Sequence, residues 1–417
     1  MKATADTAWK RTFVFAFAAQ ILGILGFSFA TPFMPFFIAE LGVAEGGEQA
    51  FWAGVALSTG GFTFALFAPI WGVVADRYGR KSMVCRAMFG GALAIALMSF
   101  SQTVHQLLLF RVFQGAFSGT LAASIALVAS VVPRHRSGLT LGMMQAAVFI
   151  GNAVGPFIGG MTADAVGYRG SFRVGAVLTV LGGLLILFGT REPGAAADRQ
   201  ARTGSPGFRQ IIMLPGFLIS VLVLLGVRLS NSIANPSFPL IVREMVDSLD
   251  HLNRITGSII GVAAVAAALA AAVLGYAGDR GGRRRVLLGC CLGACVASVG
   301  HYLARGLPDL FAVRILFGFA VAGMLPAANA TIHSVVDPRS IGKAYGLATS
   351  ISMMGSAIGP TLGGYLAMRA GLRIPFLVTG AAQLLLGMLI LLFLREGEGK
   401  KVQEAGPGTR PIATSRP

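Results

Sequence analysis

Three arginines stand inside long apolar stretches of this sequence, where a charged side chain is costly unless it faces a cavity or a polar partner. Arg111, Arg228 and Arg314 lie among mainly aliphatic and aromatic residues. Arg228, near the middle of its stretch, could bind a carboxylate, phosphate or phosphonate group. The alternatives are that Arg228 bonds backbone carbonyls of an adjacent helix and that Arg314 extends toward the polar end of its stretch.

Uncharged polar residues in similar surroundings could complete a binding cavity, although any one of them could instead bond a neighbouring helix. Asn231 and Asn235 follow Arg228 by three and seven residues, so all three share one face of a helix. No Asp or Glu lies well inside an apolar stretch. Such a cavity should therefore repel cations and accept anionic, zwitterionic or neutral solutes. The candidate cavity residues are Gln20, Phe29, Gln145, Asn152, Arg228, Asn231, Asn235 and Asn329.

The sequence contains no pattern that is typical of an enzyme. It has no Ser/His/Asp set, no metal-ligand cluster and no phosphate-binding loop, and most of the five histidines fall at predicted helix ends. The four cysteines lie in or beside apolar stretches without zinc-site spacing, so we expect free thiols. We therefore expect neither catalysis nor a metal or organic cofactor.

The composition indicates a protein whose main solvent is lipid. Of its 417 residues, 55% are hydrophobic and 12% are charged, and the mean hydropathy is +0.73. Soluble domains carry about 25% charged residues. A membrane-spanning helix needs ~20 mostly apolar residues, and the stretches that meet this condition are numbered here as spans 1 to 12. They lie near 12–38, 51–75, 82–101, 106–132, 138–162, 170–190, 216–241, 255–278, 285–304, 309–334, 343–367 and 374–394.

Lysine and arginine are distributed unevenly between the predicted loops. Most of the 34 basic residues fall at the N-terminus, after spans 2, 4, 6, 8 and 10, and in the tail. Cytosolic loops carry such an excess, so we expect a multi-pass inner-membrane protein with both termini in the cytoplasm. The net charge of +17 is then a topology signal, and nucleic acid is not an expected partner.

Three segments of the first half recur in the second half about 203 residues further along. The pairs are Gly72–Lys81 with Gly275–Arg284, Arg111–Gly115 with Arg314–Gly318, and Gly151–Gly160 with Gly355–Gly364. An even number of spans in each repeat makes the halves parallel, related by an axis along the membrane normal. We predict an all-α membrane protein with twelve transmembrane helices in two pseudo-symmetric six-helix bundles. Its predicted parts are the bundles 1–190 and 216–394, a cytosolic linker 191–215 and a cytosolic tail 395–417.

These motifs resemble those of the major facilitator superfamily over about residues 12–394. Gly72–Lys81 is similar to that family's signature in the cytosolic loop after span 2, and Arg111–Gly115 is similar to its span 4 signature. Gly151–Gly160 is similar to the span 5 signature of twelve-span drug:proton antiporters. The resemblance implies the major facilitator fold and a secondary active transporter. It also implies export of small, drug-like molecules by alternating access in exchange for protons.

The duplicated loop motif is interpreted as a pair of latches. A carboxylate at a helix N-terminus gains about 0.3–1 kcal/mol. Asp76 should lie against the start of span 11, and Asp279 against the start of span 5, when the cytosolic side is closed. An ordinary solvated turn that carries the topology signal is the alternative. The latch residues are Gly72, Asp76, Arg77, Gly79, Arg80, Asp279, Arg280, Gly282 and Arg283.

Glycines spaced by four give spans 5 and 11 a smooth face for close helix packing, and a proline in each span permits a bend. A role of this face in gating is an added hypothesis. The residues concerned are Gly151, Gly155, Pro156, Gly159, Gly355, Gly359 and Pro360.

Proton coupling has few candidates because the spans contain no acid. The resemblance implies that Arg111 ties protonation to conformation, with Asp76, Asp164 or Asp309 as the acid and the proton gradient as the energy source. We expect a monomer that carries a small-molecule substrate within the lipid bilayer. The alternatives are a metabolite uniporter or importer, a lipid flippase on the same fold, and a membrane sensor that does not transport.

Overall fold

The computed structural model describes residues 2–133, 136–190, 192, 213, 215–336 and 341–393, and all regular structure among them is helical. The helices are α1 (Lys2–Ser28), α2 (Met34–Glu40), α3 (Gly47–Tyr78), α4 (Arg80–Met98), α5 (Val104–Phe117), α6 (Thr120–Val131), α7 (Ser137–Gly189), α8 (Pro215–Ile233), α9 (Phe238–Glu244), α10 (Leu252–Gly281), α11 (Arg283–Leu303), α12 (Leu307–Ala322), α13 (Met324–Val335), α14 (Ile341–Ala370) and α15 (Ile374–Phe393).

Spans 1, 4, 7 and 10 are each built from two consecutive helices, whereas α3, α10 and α14 run unbroken through spans 2, 8 and 11. Local sequence explains the breaks. A 3₁₀ turn with Pro32 separates α1 from α2, and Gly119 with a φ of 113° precedes α6. Pro236 follows α8, and Gly323 separates α12 from α13. Proline removes a helical donor and glycine tolerates left-handed backbone, which explains the breaks at Pro32, Pro236 and Gly119. Gly323 keeps right-handed dihedrals, with φ −80° and ψ −16°.

Helix α7 contains two spans. Gly167 has φ 72° and ψ 172°, so it leaves the helical conformation and turns the chain between spans 5 and 6. Among the described residues, ten helical segments are long and apolar enough to cross a membrane, and the 53-residue α7 counts as one of them. The 30-residue α14 is a further helix of sufficient length. The described helices are therefore consistent with twelve spans.

The internal repeat appears in the contacts as well as in the sequence. In each half a serine on the first span donates to a glycine carbonyl of the fifth, and an arginine at the start of the sixth span donates to a carbonyl at the end of the third. The serine contacts are Ser28 to Gly151 at 3.2 Å and Ser232 to Gly355 at 3.4 Å. The arginine contacts are Arg169 to Ser99 at 2.8 Å and Arg373 to Tyr302 at 3.0 Å.

The two ends of the helix bundle differ in charge. At one end, named the basic end, Arg11 reaches Phe188 O, Lys81 Nζ binds Leu187 O, and Arg284 binds Leu391 O. The opposite end, named the sealed end, is defined by the residues Glu45, Ser99, Asp164, Arg243 and Tyr302.

One apolar core joins the two halves at the sealed end. It contains Phe33, Phe36 and Ala163 of the first half together with Phe238 and Phe376 of the second. The cores nearer the basic end each belong to a single half. Among the described residues, buried apolar contacts therefore hold the halves together at the sealed end and not at the basic end.

The glycines of spans 2 and 8 show the same difference between the ends. A Cβ on Gly54 would overlap the carbonyl of Pro360 in span 11, and one on Gly257 would overlap the carbonyl of Pro156 in span 5. Gly72 and Gly275 lie on the same two faces about five helical turns further along. No atom of the described residues lies within 4 Å of a Cβ at either. The two interfaces are thus closed at the sealed end and open at the basic end.

Most of the predicted linker 191–215 and the whole predicted tail 395–417 lie outside the described residues. The boundaries of the two bundles therefore stay predictions.

The glycine pair on span 8 gives a matched test of this packing. Gly257→Val should lower the midpoint of thermal unfolding in detergent by a few degrees, because overpacking a tight contact costs about 1–3 kcal/mol. Gly275→Val changes helix propensity by the same amount, but its side chain enters open space. Its midpoint of thermal unfolding should therefore stay near that of the wild type. Equal midpoints for the two variants would contradict the observed geometry.

Candidate functional site

Span 7 presents Arg228 to the space between spans 10 and 11. The neighbours of Arg228 on the helix contact three other spans. Leu225 and Leu229 contact Gly355 of span 11, and Gly226 contacts Leu386 of span 12. Val227 packs in one apolar core with Ala328 of span 10. Arg228 occupies the remaining face and is half-buried. Asn235, seven residues later on that face, is exposed.

The guanidinium of Arg228 has no hydrogen-bond partner among the described residues, and its Nε is buried. No described backbone carbonyl accepts a hydrogen bond from it, which was the alternative to a ligand-binding role. An arginine in this position has five N–H donors and no acceptor. Its donors are therefore available to a ligand.

Asn231 lies beside Arg228 and is oriented by Gln383 of span 12. The Gln383 Nε2 group donates to Asn231 Oδ1 and to Ser230 Oγ, both at 2.8 Å. Since the Oδ1 atom of Asn231 is occupied as an acceptor, the Nδ2 group keeps both N–H bonds for another partner. Arg228 and Asn231 together therefore offer a set of hydrogen-bond donors.

The other predicted cavity residues divide into two groups. Gln145, Asn152 and Asn235 are exposed and Asn329 is half-buried, as residues beside an open cavity would be. Gln20 is fully buried, and neither of its amide atoms has a described partner. Phe29 is 1% exposed and packs against Gly159 and Gly175. A cavity role for Gln20 and Phe29 stays a prediction.

Arg111 and Arg314 are held inside their own halves. Arg111 is 7% exposed, and its Nη1 donates to Gln114 Oε1 at 2.5 Å, while Nε and Nη2 are buried without a described partner. Arg314 lies over the ring of Phe238 at 4.1 Å and near Phe317 at 5.6 Å. The aromatic faces of these rings stabilise the guanidinium of Arg314 away from water.

Asp164 joins the two halves at the sealed end. Its carboxylate accepts from Asn253 Nδ2 at 2.9 Å and from the backbone N–H of Arg254 at 3.0 Å. Both donors belong to the first turn of α10, so Asp164 of span 5 caps span 8. Arg243 adds an exposed ion pair to Glu45 at 2.9 Å across the same end, and such a pair is worth little by itself.

The predicted coupling acids do not contact Arg111 where they are described. Asp164 binds span 8, and Asp309 accepts the backbone N–H of Arg305 at 3.0 Å within its own half. The side chain of Asp76 lies outside the described part of the chain, as does that of Asp279. The coupling and latch assignments therefore stay predictions.

The basic end shows the backbone of the duplicated loop motif. Gly79 and Gly282 occupy equivalent turns, with φ values of 88° and 94°, a region that favours glycine. Helices α4 and α11 then begin at Arg80 and Arg283. Each turn reverses the chain between two spans. Gly72, Arg77 and Arg280 lie in the last turns of α3 and α10.

The predicted packing residues of spans 5 and 11 all meet neighbouring backbone or side chains. Within the first half, span 1 packs against Gly151, Gly155 and Gly159, and within the second half, span 7 packs against Gly355 and Gly359. Pro156 contacts span 8 and Pro360 contacts span 2, each in the opposite half. Spans 5 and 11 therefore pack tightly on two sides, and a role of this packing in gating stays a prediction.

The sequence model of the Major Facilitator Superfamily matches this chain twice, over residues 16–227 and 220–416. The chain belongs to the major facilitator superfamily. It is 30% identical over 383 residues to the multidrug resistance protein MdtG of Proteus mirabilis (strain HI4320), a match that covers 90% of this chain and 94% of that protein. The MdtG protein of Dickeya zeae (strain Ech586) is 30% identical over 406 residues, covering 96% and 99%.

A solved structure shows the same fold. The bacterial homolog of the human lysosomal transporter Spinster, in an inward-facing and occupied conformation, superposes with a TM-score of 0.75 at 16% identity, covering 91% of this chain and 95% of that one. The predicted family and fold class are thereby confirmed. The protein is a multi-pass membrane transporter and not an enzyme.

One polar contact of the transporter was not predicted. Glu192 accepts the backbone N–H groups of Arg80 at 2.8 Å and Lys81 at 2.9 Å, so it caps span 3 from the end of span 6. A signal was present in the sequence, because Arg191-Glu192 recurs as Arg395-Glu396 at the offset of the internal repeat. Residues 394–417 lie outside the described chain.

The cap made by Asp164 can be tested against Asp309. Asp164→Asn should shift the equilibrium toward opening of the sealed end by roughly two- to fivefold, because it removes a charge from a helix N-terminus. Asp309→Asn also removes a capping charge, but within one half, and should leave the equilibrium unchanged. Distances between spin labels at Gln102 and Asp250 would report the populations. An unchanged distribution in Asp164→Asn would contradict this role.

Proposed function

We propose that this transporter exports small, drug-like molecules from the cytosol in exchange for protons. The observation that carries the proposal is the donor set of Arg228 and Asn231 on the face of span 7 that lies between spans 10 and 11. The multidrug resistance proteins MdtG, to which the chain is similar over nearly its whole length, support export of drug-like solutes as the activity.

The proposed orientation places the basic end in the cytosol of an inner-membrane protein, with both termini on that side. The excess of lysine and arginine in the loops of that end supports it. In this orientation the structure is open toward the cytosol and ready to receive a solute. Export then requires that the glycine contacts of the sealed end separate while the basic end closes around the predicted latches.

The substrate class is argued from the donors. Arg228 supplies a positive charge, and Gln383 fixes Asn231 so that its N–H bonds are free. A cation would meet repulsion from Arg228, with no carboxylate among the predicted cavity residues to offset it. We therefore propose solutes with an apolar body and an oxygen-rich group, either anionic, zwitterionic or neutral. The proposed functional unit is a monomer.

Proton exchange is supported by the family and by the span 5 motif Gly151–Gly160, which is similar to that of drug:proton antiporters. The proposed coupling groups are Arg111 and one of Asp76, Asp164 and Asp309. A uniporter, an importer or a lipid flippase on the same fold remains the second reading. None of the described contacts favours it.

Purified transporter in proteoliposomes separates these functions. With an imposed pH gradient and a panel of solutes, we expect solute movement to be accompanied by opposite proton movement, read from an internal pH dye. Protein-free liposomes and a solute that is not transported are the controls. Solute flux that ignores the gradient would identify a uniporter, and no flux of any solute would favour a sensor.

The substrate class depends on Arg228, so matched solutes test it. Arg228→Gln should reduce transport of an anionic compound by about tenfold, as the loss of one charge-assisted hydrogen bond of ~1.5 kcal/mol implies. Transport of a neutral analogue of the same shape should change little. Arg228→Lys keeps the charge and should retain part of the anion flux.

Gln383→Leu extends this test to Asn231. It frees the Asn231 amide to turn, and so should weaken anion transport while leaving Arg228 in place. Strong transport of permanent cations that neither Arg228→Gln nor Gln383→Leu alters would contradict the proposed substrate class.

A further inference from the structure

A cleft of about 480 Å³ lies between spans 1 and 6. Its volume falls within the ~300–1,000 Å³ of sites that hold one small ligand. Its lining contains none of the residues of the transport path proposed above. The lining residues are Arg11, Phe15, Leu22, Leu181, Leu184, Leu185, Phe188 and Gly189.

The residues of the cleft form two facing stripes. Phe15 and Leu22 lie on one side of α1, and the four leucine and phenylalanine residues of α7 recur at helical spacing on the other. The Phe15 ring fills the space above Gly189 and so forms the floor. All of these side chains are apolar, so the cleft suits a hydrocarbon chain.

Arg11 lies at the basic end of the cleft. Its guanidinium is exposed, lies 5.7 Å from the centre of the Phe15 ring, and donates from Nη2 to Phe188 O at 3.5 Å. Most of its five N–H donors remain available. Lys10 is exposed beside it, and Lys81 Nζ binds the carbonyl of Leu187 close by. The rim is therefore positively charged and complements an anionic group.

The length of the cleft matches one leaflet of a bilayer. Arg11 and Leu22 are separated by eleven residues, about 16 Å of helix, and half of the hydrocarbon core of a bilayer is about 15 Å. A lipid whose phosphate lies at Arg11 would therefore place its acyl chain along the cleft as far as the middle of the membrane.

The second half has the same stripe, and Arg284 binds Leu391 O there as Lys81 binds Leu187 O in the first half, but Arg11 has no counterpart. The repeat places Pro215 at the position of Arg11, Gly226 at that of Leu22, and Met388 at that of Leu184. Any apolar groove of a membrane protein is covered by lipid tails. Arg11 is the cation that distinguishes the cleft of the first half from its counterpart.

We propose that the cleft between spans 1 and 6 is a binding site for one anionic phospholipid, with the phosphate at Arg11 and an acyl chain along the apolar stripes. The site lies in the leaflet of the basic end. If that end is cytosolic, as proposed, the site faces the leaflet that carries anionic lipids to basic residues near the membrane surface.

Native mass spectrometry of the purified full-length transporter tests the site. Phosphatidylglycerol and phosphatidylcholine with identical acyl chains are titrated into the detergent-solubilised protein. We expect the first phosphatidylglycerol to bind about fivefold more tightly, the gain expected from one basic residue near the headgroup. Arg11→Gln should abolish this preference, whereas Lys10→Gln, which removes the neighbouring charge, should retain most of it.

A second pair of variants tests the acyl-chain stripe. Leu184→Trp fills the cleft and should weaken the first binding event of both lipids. Met388→Trp makes the same change at the repeat-related position and should leave that event unchanged. Equal binding of the two lipids to wild type would overturn the proposal, as would equal effects of Arg11→Gln and Lys10→Gln.

The mass spectrum also separates other occupants from the lipid. A dimer that loses subunits on Leu184→Trp, with no bound lipid, would identify a second copy of the chain as the occupant and overturn the proposal. Lipid binding is measured here without transport, so a failure of this test leaves the proposed export untouched, and a failure of the transport assays leaves the lipid site untouched.

Discussion

The carbonyl of Pro360 occupies the place where a side chain on Gly54 would lie, and the carbonyl of Pro156 occupies the same place beside Gly257. Helices approach this closely only where side chains are absent. These two contacts bring the halves together at the sealed end. The helices diverge from there, so Gly72 and the basic end stand open. The contacts of Gly54 with Pro360 and of Gly257 with Pro156 therefore determine which end is closed and which end is open.

The repeat supplies a symmetric scaffold, and the proposed functional residues are the positions where that symmetry fails. Arg228 corresponds to Ile24, Gln383 to Thr179, Asp164 to Met368, and Arg11 to Pro215. Contacts that hold the fold together recur in both halves, as Ser28 and Ser232 do. Among the described residues, the donor set, the cap on span 8 and the Arg11 rim of the proposed lipid cleft occur in one half only. The internal repeat thus accounts for the packing contacts that recur in both halves, and the residues that differ between the halves account for the proposed binding and capping groups.

Sequence patterns predicted what depends on local composition: the spans, the turn at Gly79, the repeat and the family. They could not predict contacts between distant residues that are weakly marked in the chain. The cap of span 3 by Glu192 joins residues more than a hundred positions apart, and the orientation of Asn231 depends on Gln383 in another span. Nor could they predict which end is closed, because both arrangements of the halves satisfy the same pattern of apolar residues.

Protonation of an acid can favour either the inward-open or the outward-open form, and this direction decides which acid could couple protons to export. An exchanger needs an acid whose protonation favours return to the inward-open form. Protonating Asp164 would discharge the cap on span 8 and so favour opening of the sealed end, which is the opposite direction. The predicted cap by Asp76 lies at the basic end, so its protonation would favour the inward-open form. We therefore expect Asp164 to set how readily the sealed end opens, and the exchange step to depend on Asp76 and Arg111.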